Sequence, residues 1–180
     1  MDKLKALWTS VTDILDAAGE WIALLPIRLL MGYEFANAGF RKLNASETIW
    51  GDVPNWFAGT RGDFPFPFNV LPIELSWFLV TWTEILGGIG LFIGLFTRFW
   101  AMSLIIVTIV AVFGVHWPDE WNSLADLWKG YVITDNGFGN YRVPLLFLAM
   151  LFPLALIGPG RVCVDQILST QIFKMGKREL

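Results

Sequence analysis

The strongest constraint on this chain is a set of four long apolar runs, each closed by a turn signal. The first runs from about Trp21 to Leu43. The second follows Pro72 and reaches about Phe96, where Thr97-Arg98 turns the chain. The third covers about Phe99 to Trp117 and stops at Pro118; the fourth covers about Arg142 to Ile157 and stops at Gly158-Pro159-Gly160. A bilayer crossing takes roughly 20 apolar residues, so each run reads as a transmembrane helix. The expected fold is an all-α, four-transmembrane-helix bundle whose first partner is the lipid bilayer. Charged residues make up 16% of the chain, against about 25% in soluble domains. Ten tryptophans in 180 residues suit a protein with two membrane–water boundaries, where an apolar ring and a polar N–H are both satisfied.

The segments outside the runs have their own patterns. In residues 1–20, Leu4, Leu7, Trp8, Val11, Ile14, Leu15 and Ala18 recur at helical spacing with charges between them. This predicts an amphipathic helix lying in the interface rather than a secretory signal. The four-helix domain then occupies residues 21–160, and 161–180 form a tail. In loop 44–71, Trp50, Trp56 and Phe64-Pro65-Phe66-Pro67-Phe68 predict an extended segment that lays aromatic rings on the bilayer or the bundle. In loop 118–141, Trp121, Leu124, Leu127 and Trp128 predict a short interfacial helix, and Asn136-Gly137-Phe138-Gly139-Asn140 turns the chain back. Seven basic residues (Lys3, Lys5, Arg98, Arg161, Lys174, Lys177, Arg178) fall on the side of the termini and five (Arg41, Lys42, Arg61, Lys129, Arg142) on the other. The positive-inside rule puts both termini in the cytoplasm of a bacterial inner membrane and both long loops outside.

Cofactor classes narrow quickly. The chain has one cysteine, Cys163, and one histidine, His116. An intramolecular disulfide, a bis-His haem and an iron–sulfur cluster all need more. No metal site is assigned, and no basic stripe supports nucleic-acid binding.

Ionisable groups inside hydrocarbon are costly and need a reason. Arg28 and Glu34 in the first run, Glu84 in the second and His116 at the end of the third qualify. Glu34, Asn37 and Arg41 share a face of the first helix, and Trp77, Thr81, Glu84 and Gly88 form a comparable stripe on the second. Glu84 stands about a dozen residues, ~18 Å, from the outer start of its helix. These groups predict one polar pocket in the outer half of the bundle. A structural alternative stands beside it. Glu34 with Arg41 can be an ion pair that fixes helix register, and His116 beside Trp117-Pro118 can be a hydrogen-bonded boundary residue. Arg28 lies towards the other end, where it can snorkel or meet a backbone carbonyl. The run Gly87-Gly88-x-Gly90-x-x-x-Gly94 predicts close helix packing.

Several of these residues resemble a known family. Ala38-Gly39-Phe40-Arg41-Lys42-Leu43 is similar to the Ala-Gly-x-x-Lys-Leu signature of the DoxX family. Glu84-Ile85-Leu86-Gly87-Gly88 with Gly94-Leu95-Phe96-Thr97-Arg98 resembles its second motif, and Gly158-Pro159-Gly160-Arg161 through Asp165 its C-terminal pattern. The Phe-Pro-Phe-Pro-Phe loop, His116-Trp117-Pro118 and the stretch Tyr131–Tyr141 resemble the DoxX-like subgroup that accompanies copper-responsive, ribosomally made modified peptides. The resemblance implies a bacterial inner-membrane protein linked to redox complexes, in a family named from a thiosulfate:quinone oxidoreductase subunit.

Two functional readings follow. In one, the chain is a quinone-linked oxidoreductase subunit, with a quinone as cofactor and a periplasmic or membrane redox partner as donor. Glu84, Glu34 and His116 are then the proton-exchanging residues; Asn37, Arg41 and Thr81 orient the head group, and Trp77 and Trp82 flank the ring. In the other, the chain is a non-catalytic membrane partner of a peptide-maturation enzyme or of copper handling. A small transporter, made by a homodimer through the glycine face of the second helix, is a weaker third.

Overall fold

The computed structural model describes residues 1–45, 52–118, 121–134 and 137–176, with side chains described to Thr170. Trp50, Asp135, Asn136, Lys177 and Arg178, and the side chain of Lys174, lie outside the described residues. The protein is all-helical, with no strand among the described residues. Its α-helices are α1 (Asp2–Ile22), α2 (Leu25–Asn44), α3 (Asn55–Gly59), α4 (Ile73–Ile93), α5 (Thr97–Ala111), α6 (Leu124–Lys129), α7 (Arg142–Leu156) and α8 (Val164–Gly176). A single π turn, Val112–His116, extends α5, and short 3-10 turns occupy Thr60–Asp63 and Phe68–Val70.

Helix ends follow from local chemistry. Pro26 lies in the first turn of α2, where a missing N–H costs nothing. Trp21 and Ile22 therefore end α1 instead of opening the first long helix, and the chain turns at Ala23-Leu24. At the other end of α4, Gly94 is left-handed at φ 74°. Leu95 N–H donates to Gly90 O at 2.8 Å and Gly94 N–H to Leu91 O at 3.2 Å, which is a Schellman closure. Phe96 is also left-handed, at φ 50°, a conformation an L-residue holds only when something fixes it. Here Asp165 does: its carboxylate accepts from Phe96 N–H at 2.8 Å and Thr97 N–H at 3.1 Å, capping α5.

Helices α2, α4, α5 and α7 surround a core of Met31, Phe35, Leu91, Ala101, Leu104, Leu151 and Leu154. Glycines set the α2–α4 spacing. A Cβ on Gly32 would stand 2.8 Å from Gly88 O, and one on Gly39 2.8 Å from Ile85 N; only bare backbone fits. Gly88 faces Ala36, Gly87 faces Leu104, Gly90 faces Trp100 and Gly94 faces Cys163. The glycine run thus packs within one chain.

Two helices, α4 and the continuous stretch Thr97–His116, are long and apolar enough to cross a bilayer. Helix α7 is apolar but has 15 residues. Helix α2 has 20 but carries Arg28, Glu34, Arg41 and Lys42. Apolar side chains also face outward: Leu86, Ile89 and Phe92 on α4, Phe99, Met102 and Ile109 on α5, and Phe152 and Leu156 on α7 are all exposed.

Candidate functional site

The bundle is held differently at its two ends, and the site lies at one of them. At the end that carries α1 and α8, Arg28 is 3% exposed. Its guanidinium donates to Pro159 O at 2.8 Å and Val162 O at 2.7 Å, and Asp165 N–H donates to Gly94 O at 2.9 Å. Arg98 donates to Ile157 O at 3.0 Å. The turns that present these carbonyls use Gly158 at φ 100° and Gly160 at φ 78°. This end is a backbone-satisfying lock. Arg28 meets carbonyls there rather than reaching for the boundary.

Towards the loop end, α2, α4, α5 and α7 part to enclose a cavity of about 540 Å³. Glu34, Glu84 and His116 all line it. Between them the walls are mostly apolar, with Phe35, Val80, Val107, Val110 and Phe147 among them. The π turn widens the end of α5 and sets His116 at the cavity's edge; such turns recur at functional sites. Segment 52–71 folds over the loop end. Phe57 and Phe64 are buried with Trp77 in a second cluster, the Phe57 and Trp77 rings 4.9 Å apart. Phe64 lies against Gly114 of the π turn. Rather than one extended stretch, the segment is the short helix α3 followed by two 3-10 turns joined by extended residues, and of the phenylalanines in Phe64-Pro65-Phe66-Pro67-Phe68, Phe64 turns in while Phe66 is exposed.

Glu84 is buried, and Lys42 Nζ donates to its Oε2 at 2.5 Å. The sequence stripe Glu34-Asn37-Arg41 had placed no lysine here. Lys42 belongs to the neighbouring stripe Glu34-Ala38-Lys42, spaced four and eight residues on, and that is the stripe the cavity uses. Helical spacing alone admits both stripes, one on either side of Glu34. The separate signal was the segment similar to Ala-Gly-x-x-Lys-Leu, in which Lys42 stands at the lysine position. Glu34 is half-buried and has no hydrogen-bond partner among the described residues.

His116 is held twice by Asn140. Asn140 N–H donates to His116 O at 3.0 Å, and its side-chain oxygen is 2.5 Å from His116 Nδ1. An Nδ1–H donated to that oxygen leaves Nε2 as the acceptor of a neutral ring. Gly139 at φ 79° packs on His116 O and Pro118, which fixes the stretch 137–141 against the site. Asn140 escaped the sequence reading, where it was only part of a glycine-rich turn.

Five predicted ligand residues do not line the cavity. Arg41 is exposed and Asn37 half-buried on the other stripe. Trp77 is 2% exposed and packs into the roof cluster rather than flanking an open space. Thr81 is buried behind the α2–α4 contact with its hydroxyl unpartnered, and Trp82 is half-buried with its ring 6.2 Å from that of Phe78. On α4 the cavity instead takes Ser76, Leu79, Val80, Thr83 and Glu84.

A cavity of this size with apolar walls and a few converging polar groups matches ordinary small-molecule sites. A buried carboxylate with its ammonium, a free carboxylate and an imidazole can donate and accept at the edge of a ring. Among the described residues, no three His, Cys, Asp or Glu side chains come together as metal ligands. In comparison with known proteins, the sequence profile of the DoxX family matches residues 23–117. An uncharacterized protein of Haemophilus influenzae is 32% identical over 154 residues, 86% of this chain and 88% of that protein. No solved structure matches.

Proposed function

The chain belongs to the DoxX family, and from that premise we propose that it is a four-span inner-membrane protein whose cavity binds a quinone head group. The outward apolar faces of α4, α5 and α7 support the spans. Helix α2 completes them with its charges turned inward or to its ends. Positive-inside counting then puts both termini in the cytoplasm and the cavity in the outer half.

One observation carries the reading: Glu34, Glu84 and His116, far apart in sequence, line one mostly apolar cavity. A quinone bound there would supply two-electron, two-proton redox chemistry, its electrons drawn from a periplasmic or membrane partner. The chain's residues divide the rest. Lys42 Nζ can donate to a ring oxygen while it stays beside Glu84. His116, held at Nδ1 by Asn140, offers Nε2 to a ring hydroxyl, and Glu34 is open to exchange a second proton. Binding of a short-chain ubiquinone analogue, followed by quenching of Trp56 at the cavity edge, tests this. Glu84→Gln and His116→Ala should weaken binding while the fold persists. A wild-type protein that neither binds nor reduces the analogue, in cells indifferent to Glu84→Gln, ends the proposal.

A second reading rests on the loop end itself. Trp56, Phe66, Trp121 and Trp128 are all exposed there, an aromatic surface suited to a partner. In that reading the chain docks a peptide-maturation enzyme or assists copper handling. Co-purification of such a protein, with function retained after Glu34, Glu84 and His116 are all neutralised, would favour it.

A further inference from the structure

We infer that the cavity is entered sideways from the bilayer, through a slot between α4 and α5, by an amphiphile with a ring-sized polar head and a long apolar tail. This rests on the quinone-site reading and adds the route and the residues that set it. Helices α4 and α5 are pinned together near their tight turn. A Cβ on Gly87 would stand 3.2 Å from the Leu104 side chain, and Gly90 carries the Trp100 ring. Beyond that point residues of both helices, Leu79 and Thr83 on α4 and Ser103, Ile106 and Val110 on α5, line the cavity. Leu79 and Ile106 are also exposed, at 42% and 45%. They therefore belong to the inner wall and to the outward apolar face at once, as the lips of an opening must.

The chemistry of the slot fits a tail and not a head. No charged side chain lies along it, and the Ser103 hydroxyl is already donated to Phe99 O at 3.0 Å. Of the charged and ionisable groups, Glu34 and Lys42 stand on α2, Glu84 on the flank of α4 that meets Lys42, and His116 past the end of α5 in the π turn. Volume points the same way. About 540 Å³ holds a substituted ring and a short chain, so a polyisoprenoid tail must leave the cavity. The loop end is roofed by the buried rings of Phe57 and Phe64, and on the α2–α7 side the Phe35 and Phe147 rings pack 5.4 Å apart; the α4–α5 seam offers the apolar exit whose lips reach the outer face.

The test compares two probes on the full-length protein in lipid nanodiscs: a decyl-tailed dimethoxybenzoquinone and the same ring bearing only a methyl group. Leu79→Trp and Ile106→Trp place bulk on the lips, where both side chains already reach the surface. Leu86→Trp, exposed on α4 but outside the cavity lining, is the control. The lip variants should weaken the tailed probe by about tenfold or more and the tailless one by no more than about twofold. Equal weakening of both probes, or of neither, overturns the slot while leaving the quinone site standing, since wild type binds. A wild type that binds neither overturns both. Independently of any variant, a tailed probe with a photoreactive group at the tail's end should label residues 73–93 or 97–111. Labelling confined to 52–71 would place the tail under the roof and refute the slot.

Discussion

Replacing Lys42 by methionine cuts the contact that joins the two family motifs. Methionine keeps the length and apolar stem of lysine and removes the ammonium. Glu84 is 6% exposed and stands 2.5 Å from Lys42 Nζ, so its carboxylate would lose its ion-pair partner inside the bundle. Removing one member of a buried pair costs about 3–5 kcal/mol. The Lys42 side chain keeps 22% of its surface open, which puts the expected loss near the lower end, about 3 kcal/mol. For a chain of this size that is a fall in Tm of roughly 6–12 °C. Glu84→Gln should cost less, about 1–2 kcal/mol, because the amide still accepts from Lys42, whose side chain is in part open to water. The double variant Lys42→Met/Glu84→Gln, with no unpaired charge, should be more stable than Lys42→Met alone by about 1–2 kcal/mol. Thermal unfolding in detergent, read by tryptophan fluorescence for all four proteins, supplies the cycle. If Lys42→Met lies within about 1 kcal/mol of wild type, or the two single losses simply add, the pair does not hold Glu84 and the site's electrostatics have been misread.

Five more outcomes are expected. Gly88→Ala should destabilise by about 2–3 kcal/mol or more, since its Cβ meets backbone atoms of Gly32 and Ala36 that cannot yield. Gly19→Ala in α1 has open space around it and should stabilise by about 0.5–1 kcal/mol; chemical or thermal denaturation distinguishes the two. Asp165→Ala removes the acceptor for Phe96 and Thr97 N–H and should lower stability by about 2 kcal/mol, with hydrogen exchange rising at residues 95–100 before it rises in α7. Gly114→Ala should push the Phe64 ring off its seat and destabilise alone, yet cost less in a Phe64→Ala background, as a double-mutant cycle would read. In α6, hydrogen bonds from Lys129 and then Ser123 hold the Asp126 carboxyl below its ordinary value. A lowered folded-state value means a contribution present above the ordinary value and lost as pH falls through the lowered one. Amide protection across 124–129, corrected for intrinsic exchange, should therefore drop in acid below pH ~4, and Asp126→Asn should abolish that dependence.

Hydropathy and turn residues made the helices legible: Pro72 and Gly158 start or stop them where the pattern says, whereas α4 ends at Ile93 on the left-handed Gly94 and Thr97-Arg98 open α5 rather than turn the chain. The first helix was harder, because Trp21 and Ile22 continue an apolar run while Pro26 decides where the new helix begins. The cavity was legible as a convergence of Glu34, Glu84 and His116, since ionisable residues in apolar runs have few other reasons to be there. Its partners were not. Two helical stripes flank Glu34, and the choice between Arg41 and Lys42 depends on how α2 rolls against α4. That roll is set by Gly32, Gly39 and Gly88, a tertiary fact. Asn140 is placed by a loop whose path depends on Gly139 at φ 79°, and no periodicity reports on it. Trp77 and Thr81 stay outside the cavity lining because they lie on the flank of α4 that the aromatic roof and α2 already cover.

The motifs that identify the family explain the cavity's existence more directly than its chemistry. Gly39 and Gly88 bring α2 and α4 into backbone contact, and the same approach lets Lys42 reach Glu84. Gly87 and Gly90 seat Leu104 and Trp100, so α4 and α5 close at one end. Arg28 and Asp165 then lock that end by satisfying the backbone groups left at the helix termini. At the opposite end the α4–α5 seam carries the branched side chains of Leu79, Ile106 and Val110, and Phe64 wedges against the π turn. Four helices tied at one end and wedged at the other must splay, and the space between them is where the acids and the histidine face each other. A relative that keeps the glycines and the lock while changing Glu34 or His116 should therefore keep the cavity and lose its ligand. The family motifs thus build the container and supply Lys42 and Glu84 to its wall, while Glu34 and His116 come from outside them.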